Sequence, residues 1–168
     1  MPGPYELYFV RHGLAEERGD AWPDDTKRPL TEEGMSRLRK AVRGLSRIGV
    51  AIDVVLTSPL VRARQTAEIV AGGLDPRPSI VNVDSLAPAG SYAAVLADLE
   101  KHSRKSRLAL VGHEPMMGEL AARLVGSRHP IEFKTGGVCR IDVENLPPAG
   151  PADLRWMLTP KILRALKK

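Results

Sequence analysis

The 168-residue chain is long enough for one domain with a proper core and too short for two of ordinary size. Hydrophobic residues make up 43% and charged residues 27%, which is typical of a soluble globular protein. The net charge of +5 favours anionic partners. Because the basic residues are scattered and no nucleic-acid motif accompanies them, we expect no nucleic-acid partner.

The single cysteine, Cys139, excludes an intrachain disulfide and a cysteine-based zinc cluster, and its apolar surroundings predict a small buried residue. No apolar segment reaches the roughly 18 residues that span a bilayer. The N-terminus lacks the basic region and apolar core of a secretion signal. We therefore expect a cytoplasmic protein without a membrane partner.

The first part of the chain predicts a strand, a loop and a helix. The apolar run Tyr5 to Val10 is typical of a buried strand. The polar stretch Leu14 to Arg28 predicts a loop. Thr31 is placed to cap a helix that runs to about Ile48. Its apolar residues recur at spacings of three and four and predict one buried stripe, formed by Met35, Leu38, Val42 and Leu45.

The alternation of strands and helices continues to the end of the chain. The predicted elements are a strand at Asp53 to Thr57, a helix at Leu60 to Gly73, a strand at Ser79 to Val83, a helix at Ser91 to Leu99, a strand at Leu108 to Val111, a helix at about Pro115 to Val125, strands at Val138 to Val143 and Leu154 to Leu158, and a short helix in the basic tail Lys161 to Lys168.

This order predicts a single α/β domain over residues 1–168, with a mostly parallel central sheet covered by helices on both faces. The last two strands are joined by a turn and are candidates for an antiparallel edge.

Three predicted strand ends carry the same kind of chemistry. Arg11-His12-Gly13 follows the first strand, Arg62 falls in the first turn of the helix after the second, and His113 follows the fourth. In open α/β sheets, ligands bind at the carboxyl ends of the strands. Four cationic or potentially cationic groups converging there need an anion, and a tetrahedral phosphoryl group fits guanidinium forks. Taken singly, Arg11 and His12 also fit an ordinary solvated strand exit, and His113 a capping or core role.

The ordered set resembles the histidine phosphatase superfamily, with its phosphoglycerate mutase-like fold, and is most similar to small bacterial phosphohistidine phosphatases of the SixA type. The resemblance covers nearly the whole chain. Its matching segments are Arg11-His12-Gly13, Asp25 to Thr31 with Gly34, Ser58 to Thr66, Gly112 to Pro115 and Trp156 to Pro160.

The resemblance implies that His12 is a nucleophile that accepts the phosphoryl group as a covalent phosphohistidine. It also implies that Arg11, Arg62 and His113 bind the phosphoryl oxygens and stabilise the charge of the transition state. An imidazole attacks only through a neutral nitrogen, so we expect the other ring nitrogen of His12 to donate to a fixed acceptor such as a backbone carbonyl. No metal or other cofactor is required.

The sequence departs from larger members of the family at two places. Ala15 stands where phosphoglycerate mutases place a phosphate-binding Thr or Ser, and the region Asp84 to Gly90 lacks their glutamate proton donor. Asp25 is the preferred candidate for assisting proton transfer, with a helix-entry hydrogen bond as its alternative role. Arg28 is expected either to contact substrate at the rim of the site or to pair with a nearby acid.

The leading hypothesis is a metal-independent phosphatase that removes phosphate from phosphohistidine of a partner protein. The short connection between Asp84 and Ser106 leaves no room for a large lid, which favours a protein substrate over an enclosed metabolite. A broad-specificity phosphatase acting on small phosphorylated molecules and a low-turnover phosphate-binding or scaffolding domain are the alternatives. We expect a monomer or weak oligomer.

Overall fold

The computed structural model describes residues 4–166, in which strands and helices alternate as predicted. Each element lies within a few residues of its predicted bounds. The bounds are β1 Tyr5–Arg11, α1 Glu32–Arg47, β2 Val54–Thr57, α2 Val61–Gly72, β3 Ser79–Asn82, α3 Tyr92–Lys101, β4 Arg107–Gly112, α4 Met116–Val125, β5 Val138–Val143, β6 Asp153–Leu158 and α5 Pro160–Ala165. The end of the predicted tail helix, residues 167–168, lies outside the described residues.

The strands form one mixed sheet in the order β3-β2-β4-β1-β5-β6. The first four strands in this order are parallel to one another. Strand β5 runs antiparallel to β1, and β6 runs antiparallel to β5. The prediction of a mostly parallel sheet with an antiparallel edge is therefore confirmed.

Helices cover both faces of the sheet. Along β1, Leu7 and Phe9 pack into the apolar cluster under α3 and α4, whereas Tyr8 and Val10 pack into the cluster under α1, α2 and α5. Alternate residues of a strand point to opposite faces, so a strand buried on both sides is apolar throughout. This explains the unbroken apolar run in β1 and confirms the three-layer arrangement.

Helix α1 begins where the sequence predicts. The Thr31 hydroxyl accepts a hydrogen bond from the Gly34 backbone N–H at 2.8 Å, which satisfies one of the unpaired donors of the first turn. Leu38, Val42 and Leu45 are buried against the sheet, while Met35 at the start of the predicted stripe is only partly buried.

The polar stretch after β1 is more ordered than a loop. Ala15 forms an isolated antiparallel bridge with Leu30, and the Glu16 N–H donates to the Pro29 carbonyl at 2.8 Å. A short 3-10 helix occupies Asp25–Lys27, and the Asp24 carboxylate accepts from the Thr26 N–H before it. These contacts hold Asp25 beside the carboxyl edge of the sheet.

The sequence also predicts that Cys139 is buried and that the chain has no membrane partner. Cys139 is fully buried in β5, and burial raises the pKa of its thiol to about 12, so it is an inert core residue. Over residues 4–166, no helix has both the length and the apolar character needed to cross a membrane.

Candidate active site

Strands β1 and β4 bring the two predicted site histidines together. The two strands are adjacent and parallel, with Arg11 opposite Gly112. The residues that follow each strand therefore lie at the same edge of the sheet. The ring centroids of His12 and His113 are 5.1 Å apart. The sequence placed both histidines at strand ends, and the strand order makes those ends neighbours.

The hydrogen bonds of His12 define which of its ring nitrogens can react. Nδ1 lies 2.8 Å from the carbonyl oxygen of Gly13. A carbonyl only accepts, so the neutral ring carries its proton on Nδ1 and leaves the lone pair on Nε2. The backbone is held on both sides, because the His12 N–H donates to the Gly112 carbonyl and the His12 carbonyl accepts from the Gly136 N–H.

The surroundings of His12 keep its imidazole neutral. Burial lowers the pKa of His12 to about 4, although its bond to the Gly13 carbonyl acts in the opposite direction, and the Arg62 and Arg11 charges lower it further. At neutral pH the ring is therefore uncharged. A neutral imidazole with an unprotonated Nε2 is the form that can attack an electrophile.

Arg62 is the second residue of α2 and is 2% exposed. One terminal nitrogen donates to the Asp25 backbone carbonyl at 2.8 Å, and the other donates to the Asp25 carboxylate at 3.0 Å. The guanidinium is thus fixed at the positive end of the helix, where backbone N–H groups also favour an anion.

Arg11 and His113 are each anchored through one nitrogen. Arg11 donates to the Phe133 carbonyl at 2.7 Å. His113 is 4% exposed, and its Nε2 lies 2.8 Å from the Ser58 hydroxyl. Burial lowers the pKa of His113 to about 3, and the His12 and Arg62 side chains lower it further. His113 is therefore neutral at physiological pH.

The polar side-chain atoms that are buried without a partner all belong to the predicted site. Across the described part of the chain these atoms are Arg11 Nε, Arg62 Nε and His113 Nδ1. Buried polar groups are normally hydrogen-bonded, so three such nitrogens, one at the end of β1, one directly after β4 and one in the first turn of α2, call for an explanation. A bound oxyanion that accepts hydrogen bonds from them provides one.

Asp25 joins two arginines rather than standing alone. Its carboxylate accepts from Arg28 Nε at 2.8 Å and from Arg62 at 3.0 Å. The hydrogen bond from Arg28, followed by the charge of Arg62, lowers the pKa of Asp25, so the carboxylate is ionised at neutral pH. A role for Asp25 in proton transfer stays a prediction.

Arg28 adopts the second of its two expected roles. It is 8% exposed, and besides Asp25 it donates to the Glu16 backbone carbonyl at 2.7 Å. It therefore pairs with a nearby acid and fastens the segment after β1. Contact between Arg28 and substrate stays a prediction.

Sequence reasoning missed the side chains that hold the site in place. The Thr66 hydroxyl accepts from the Gly13 N–H at 3.1 Å and donates to the Arg62 carbonyl at 2.8 Å. Ser58 contacts His113, as described above, and Gln65 accepts from the Leu30 N–H at 2.8 Å. Thr66 lies one helical turn after Arg62, a spacing that puts both on one face of α2 and that offered a signal.

The site has no metal-binding constellation. Within residues 4–166, no group of three or more His, Cys, Asp or Glu side chains is arranged to hold a metal ion. Metal independence remains part of the prediction.

The fold and the site are those of an α/β phosphatase, with a neutral histidine beside two arginines and a second histidine at the carboxyl edge of the parallel strands. The sequence model of the histidine phosphatase superfamily (branch 1) matches residues 7–87. The chain belongs to this superfamily and to its SixA-type members.

Two relatives that carry the SixA name agree with this assignment, and a third relative is uncharacterized. The chain is 42% identical over 138 residues to an uncharacterized protein of Picosynechococcus sp., covering 79% of this chain and 82% of the relative. It is 29% identical over 164 residues to the phosphohistidine phosphatase SixA of Escherichia coli, covering 96% and 98%. A structure of the protein histidine phosphatase SixA complexed with tungstate superposes with a TM-score of 0.83 at 28% identity, covering 94% and 99%.

Proposed function

We propose that this protein is a metal-independent phosphohistidine phosphatase that dephosphorylates a histidine of a partner protein through a covalent intermediate on His12. The names of the SixA relatives support the substrate class. The tungstate in the related structure is a tetrahedral oxyanion, which is consistent with a phosphate pocket in this fold.

The observation that carries the proposal is the hydrogen bond between His12 Nδ1 and the Gly13 carbonyl. It leaves Nε2 unprotonated in a site whose Arg11, Arg62 and His113 side chains each carry a buried nitrogen without a partner among the described residues. A pocket that only bound phosphate would gain nothing from a neutral imidazole held with its lone pair available, because a cation would bind the anion better.

In the first step, His12 Nε2 attacks phosphorus and forms an N–P bond while the bond between phosphorus and the substrate imidazole breaks. The substrate ring enters as an imidazolium with a proton on its other ring nitrogen, so the leaving imidazole keeps that proton and departs neutral. Arg11, Arg62 and His113 donate to the phosphoryl oxygens, whose charge the two guanidinium groups offset. In the second step, water attacks phosphorus while the bond between phosphorus and His12 Nε2 breaks. Inorganic phosphate leaves with both protons of the water, and His12 returns to its neutral form with the proton on Nδ1.

The lack of a glutamate in the region Asp84 to Gly90 supports phosphohistidine over a phosphoester. An alkoxide leaving group needs a proton from the enzyme, whereas an imidazole leaves without one. Asp25 is held ionised by its arginines, and Asp84 is an exposed residue of a short 3-10 helix. Neither is a protonated acid positioned above the phosphoryl site.

The openness of the site supports a protein substrate. Between β3 and β4, the chain has only the 3-10 helix Asp84–Leu86 and the ten-residue helix α3. Helix α3 packs against the sheet through Val95 and Leu99 and is part of the core. No separate lid follows β3 in this region, so a side chain presented by another protein can approach.

The test compares the parent with His12→Ala on a protein phosphorylated at histidine, an aryl phosphate and a sugar phosphate. We expect the parent to act fastest on the phosphoprotein and His12→Ala to lose at least about a thousandfold in rate. His129→Ala, which changes an exposed histidine, is the matched control and should retain the parent's rate.

The covalent step has its own readout. Parent protein quenched during turnover should carry an acid-labile, alkali-stable phosphate on His12, and His12→Ala should carry none. Equal rates for parent and His12→Ala would refute the nucleophile. Preference for the sugar phosphate would instead identify a small-molecule phosphatase, and binding without turnover of any substrate would identify a phosphate-binding domain.

A further inference from the structure

A second cavity lies beside the phosphate site. It has a volume of about 400 Å³ and is bordered by Gly13 and Leu14, by residues 134–136, and by the starts of α1 and α5. Residue Val138 of β5 pairs with both Val10 of β1 and Leu158 of β6, so β1 and β6 end at the same edge of the sheet. Helix α5 therefore starts at the edge that carries His12.

The walls of this cavity are joined to the backbone around His12. The Gly136 N–H donates to the His12 carbonyl at 3.0 Å, and the Thr31 N–H donates to the Leu14 carbonyl at 3.0 Å. Pro160 of α5 packs over Gly136. An occupant of the cavity would therefore contact a preformed surface one residue away from the nucleophile.

The lining combines an apolar floor with a basic rim. The floor includes Leu14, which is 41% exposed, together with buried Leu38 and the ring of Pro160. The rim carries four basic side chains and no acidic one, namely Arg37, Lys134, Lys161 and Arg164. Arg37 pairs with Glu33, whereas the other three form no salt bridge with any residue in the 4–166 range.

We propose that this cavity docks an acidic segment of the phosphoprotein substrate, with a leucine-sized side chain on the floor and carboxylates on the rim. The proposal rests on the proposed function. An anionic occupant is the one that matches three unpaired basic side chains, and the apolar floor favours an occupant that also carries aliphatic side chains.

The position of the cavity favours a protein segment over a small metabolite. Gly13 and Leu14 line the cavity, whereas the four predicted site residues Arg11, His12, Arg62 and His113 do not. A substrate that fills both places must extend well beyond its phosphorylated side chain. A polypeptide that continues from the phosphohistidine does so.

The experiment uses two synthetic phosphohistidine peptides of equal length and free phosphohistidine. One peptide carries Glu and Leu next to the phosphohistidine, and the other carries Ser and Gly. The test variant is Lys134→Glu/Lys161→Glu. The matched control is Arg104→Glu/Lys105→Glu, which makes the same charge change just before β4, at the opposite edge of the sheet.

We expect the parent to show a KM about tenfold lower for the acidic peptide than for the Ser/Gly peptide, with added salt reducing the difference. Lys134→Glu/Lys161→Glu should lose this preference while its kcat/KM for free phosphohistidine stays within about twofold of the parent. The control should keep the preference.

Three results would overturn the docking proposal: equal KM values for the two peptides in the parent, a preference that survives in Lys134→Glu/Lys161→Glu, or an equal loss in the control. Failure of the proposed function looks different, because the parent would then hydrolyse none of the phosphohistidine compounds. In that case, fluorescence anisotropy with the unphosphorylated acidic peptide tests whether the cavity binds an acidic segment. Weaker binding to the variant than to the parent and the control supports the cavity, and equal binding refutes it.

Discussion

Asp25 holds two arginines, Arg62 and Arg28, in place. Arg62 makes two hydrogen bonds to it, one to the carbonyl and one to the carboxylate, and Arg28 binds the second carboxylate oxygen. The carboxylate also places a negative charge between two buried guanidinium groups, which lowers their mutual repulsion. These contacts make Asp25 a positioning residue for Arg62.

Asp25→Asn should lower kcat/KM for a phosphohistidine substrate about tenfold, because Arg62 keeps the carbonyl bond but loses the charge-assisted one. The pH–rate profile should keep its shape, since a residue that only positions Arg62 donates no proton. Asp24→Asn is the matched control, because asparagine also caps the 3-10 helix and the Asp24 carboxylate accepts its hydrogen bonds from Thr26 rather than from an arginine. A lost or shifted limb of the profile in Asp25→Asn would instead assign Asp25 to proton transfer.

At the scale of elements, helix α1 is pressed against the segment that follows His12. A Cβ atom on Gly34 would overlap the Leu14 carbonyl oxygen, and the Thr31 N–H donates to the same oxygen. Gly34 therefore permits the first turn of α1 to support the backbone just after the nucleophile. Gly72, at the end of α2, has open space except for the Arg77 guanidinium at 3.5 Å.

Gly34→Ala should reduce the free energy of unfolding by about 1–3 kcal/mol and lower activity, because either the helix or the Leu14 backbone must move. Gly72→Ala should raise the free energy of unfolding by about 0.5–1 kcal/mol, since alanine loses less backbone entropy than glycine in a helix. Urea unfolding of both variants beside the parent measures the difference. Equal effects of the two substitutions would show that the contact between α1 and Leu14 is unimportant.

At the scale of the whole molecule, local patterns in the sequence predict the sheet and the placement of the site. The apolar run of β1 and the Thr31 cap are short-range signals. Because crossover connections between parallel strands are right-handed, the alternation of strands and helices leaves few possible sheet topologies. Arg11, His12, Arg62 and His113 could be placed together because parallel strands end at one edge.

The supporting contacts could not be predicted in the same way. Thr66 bonds to Gly13 across 53 residues, and Ser58 contacts His113 across 55. Such pairs depend on the exact packing of α2 and β2 against their neighbours, for which one sequence has no periodic signal. The bridge between Ala15 and Leu30 likewise involves a residue that is buried in the apolar cluster with residues of α1 and α2.

The two site histidines also make the stability of the molecule sensitive to acid. Burial lowers the pKa of His12 to about 4 and that of His113 to about 3, whereas the ordinary value is 6.5. Below pH 6.5, the unfolded chain binds protons that the folded chain does not. The free energy of unfolding therefore decreases as the pH is lowered. Each histidine contributes up to about 1.4 kcal/mol per pH unit until its folded pKa is reached.

His113→Gln should therefore lose less stability than the parent between about pH 6.5 and pH 5, a window above the range in which most carboxylates titrate. The variant starts from a lower stability at pH 7, because it alters a buried side chain bonded to Ser58, so the slope against pH is the quantity to compare. Urea unfolding at three pH values gives that slope, with His129→Gln as the control for removal of an exposed histidine. Identical slopes for His113→Gln and the parent would mean that His113 titrates in the folded protein as it does in the unfolded chain, and the claim that burial holds this hydrogen-bond donor neutral would then have to be abandoned.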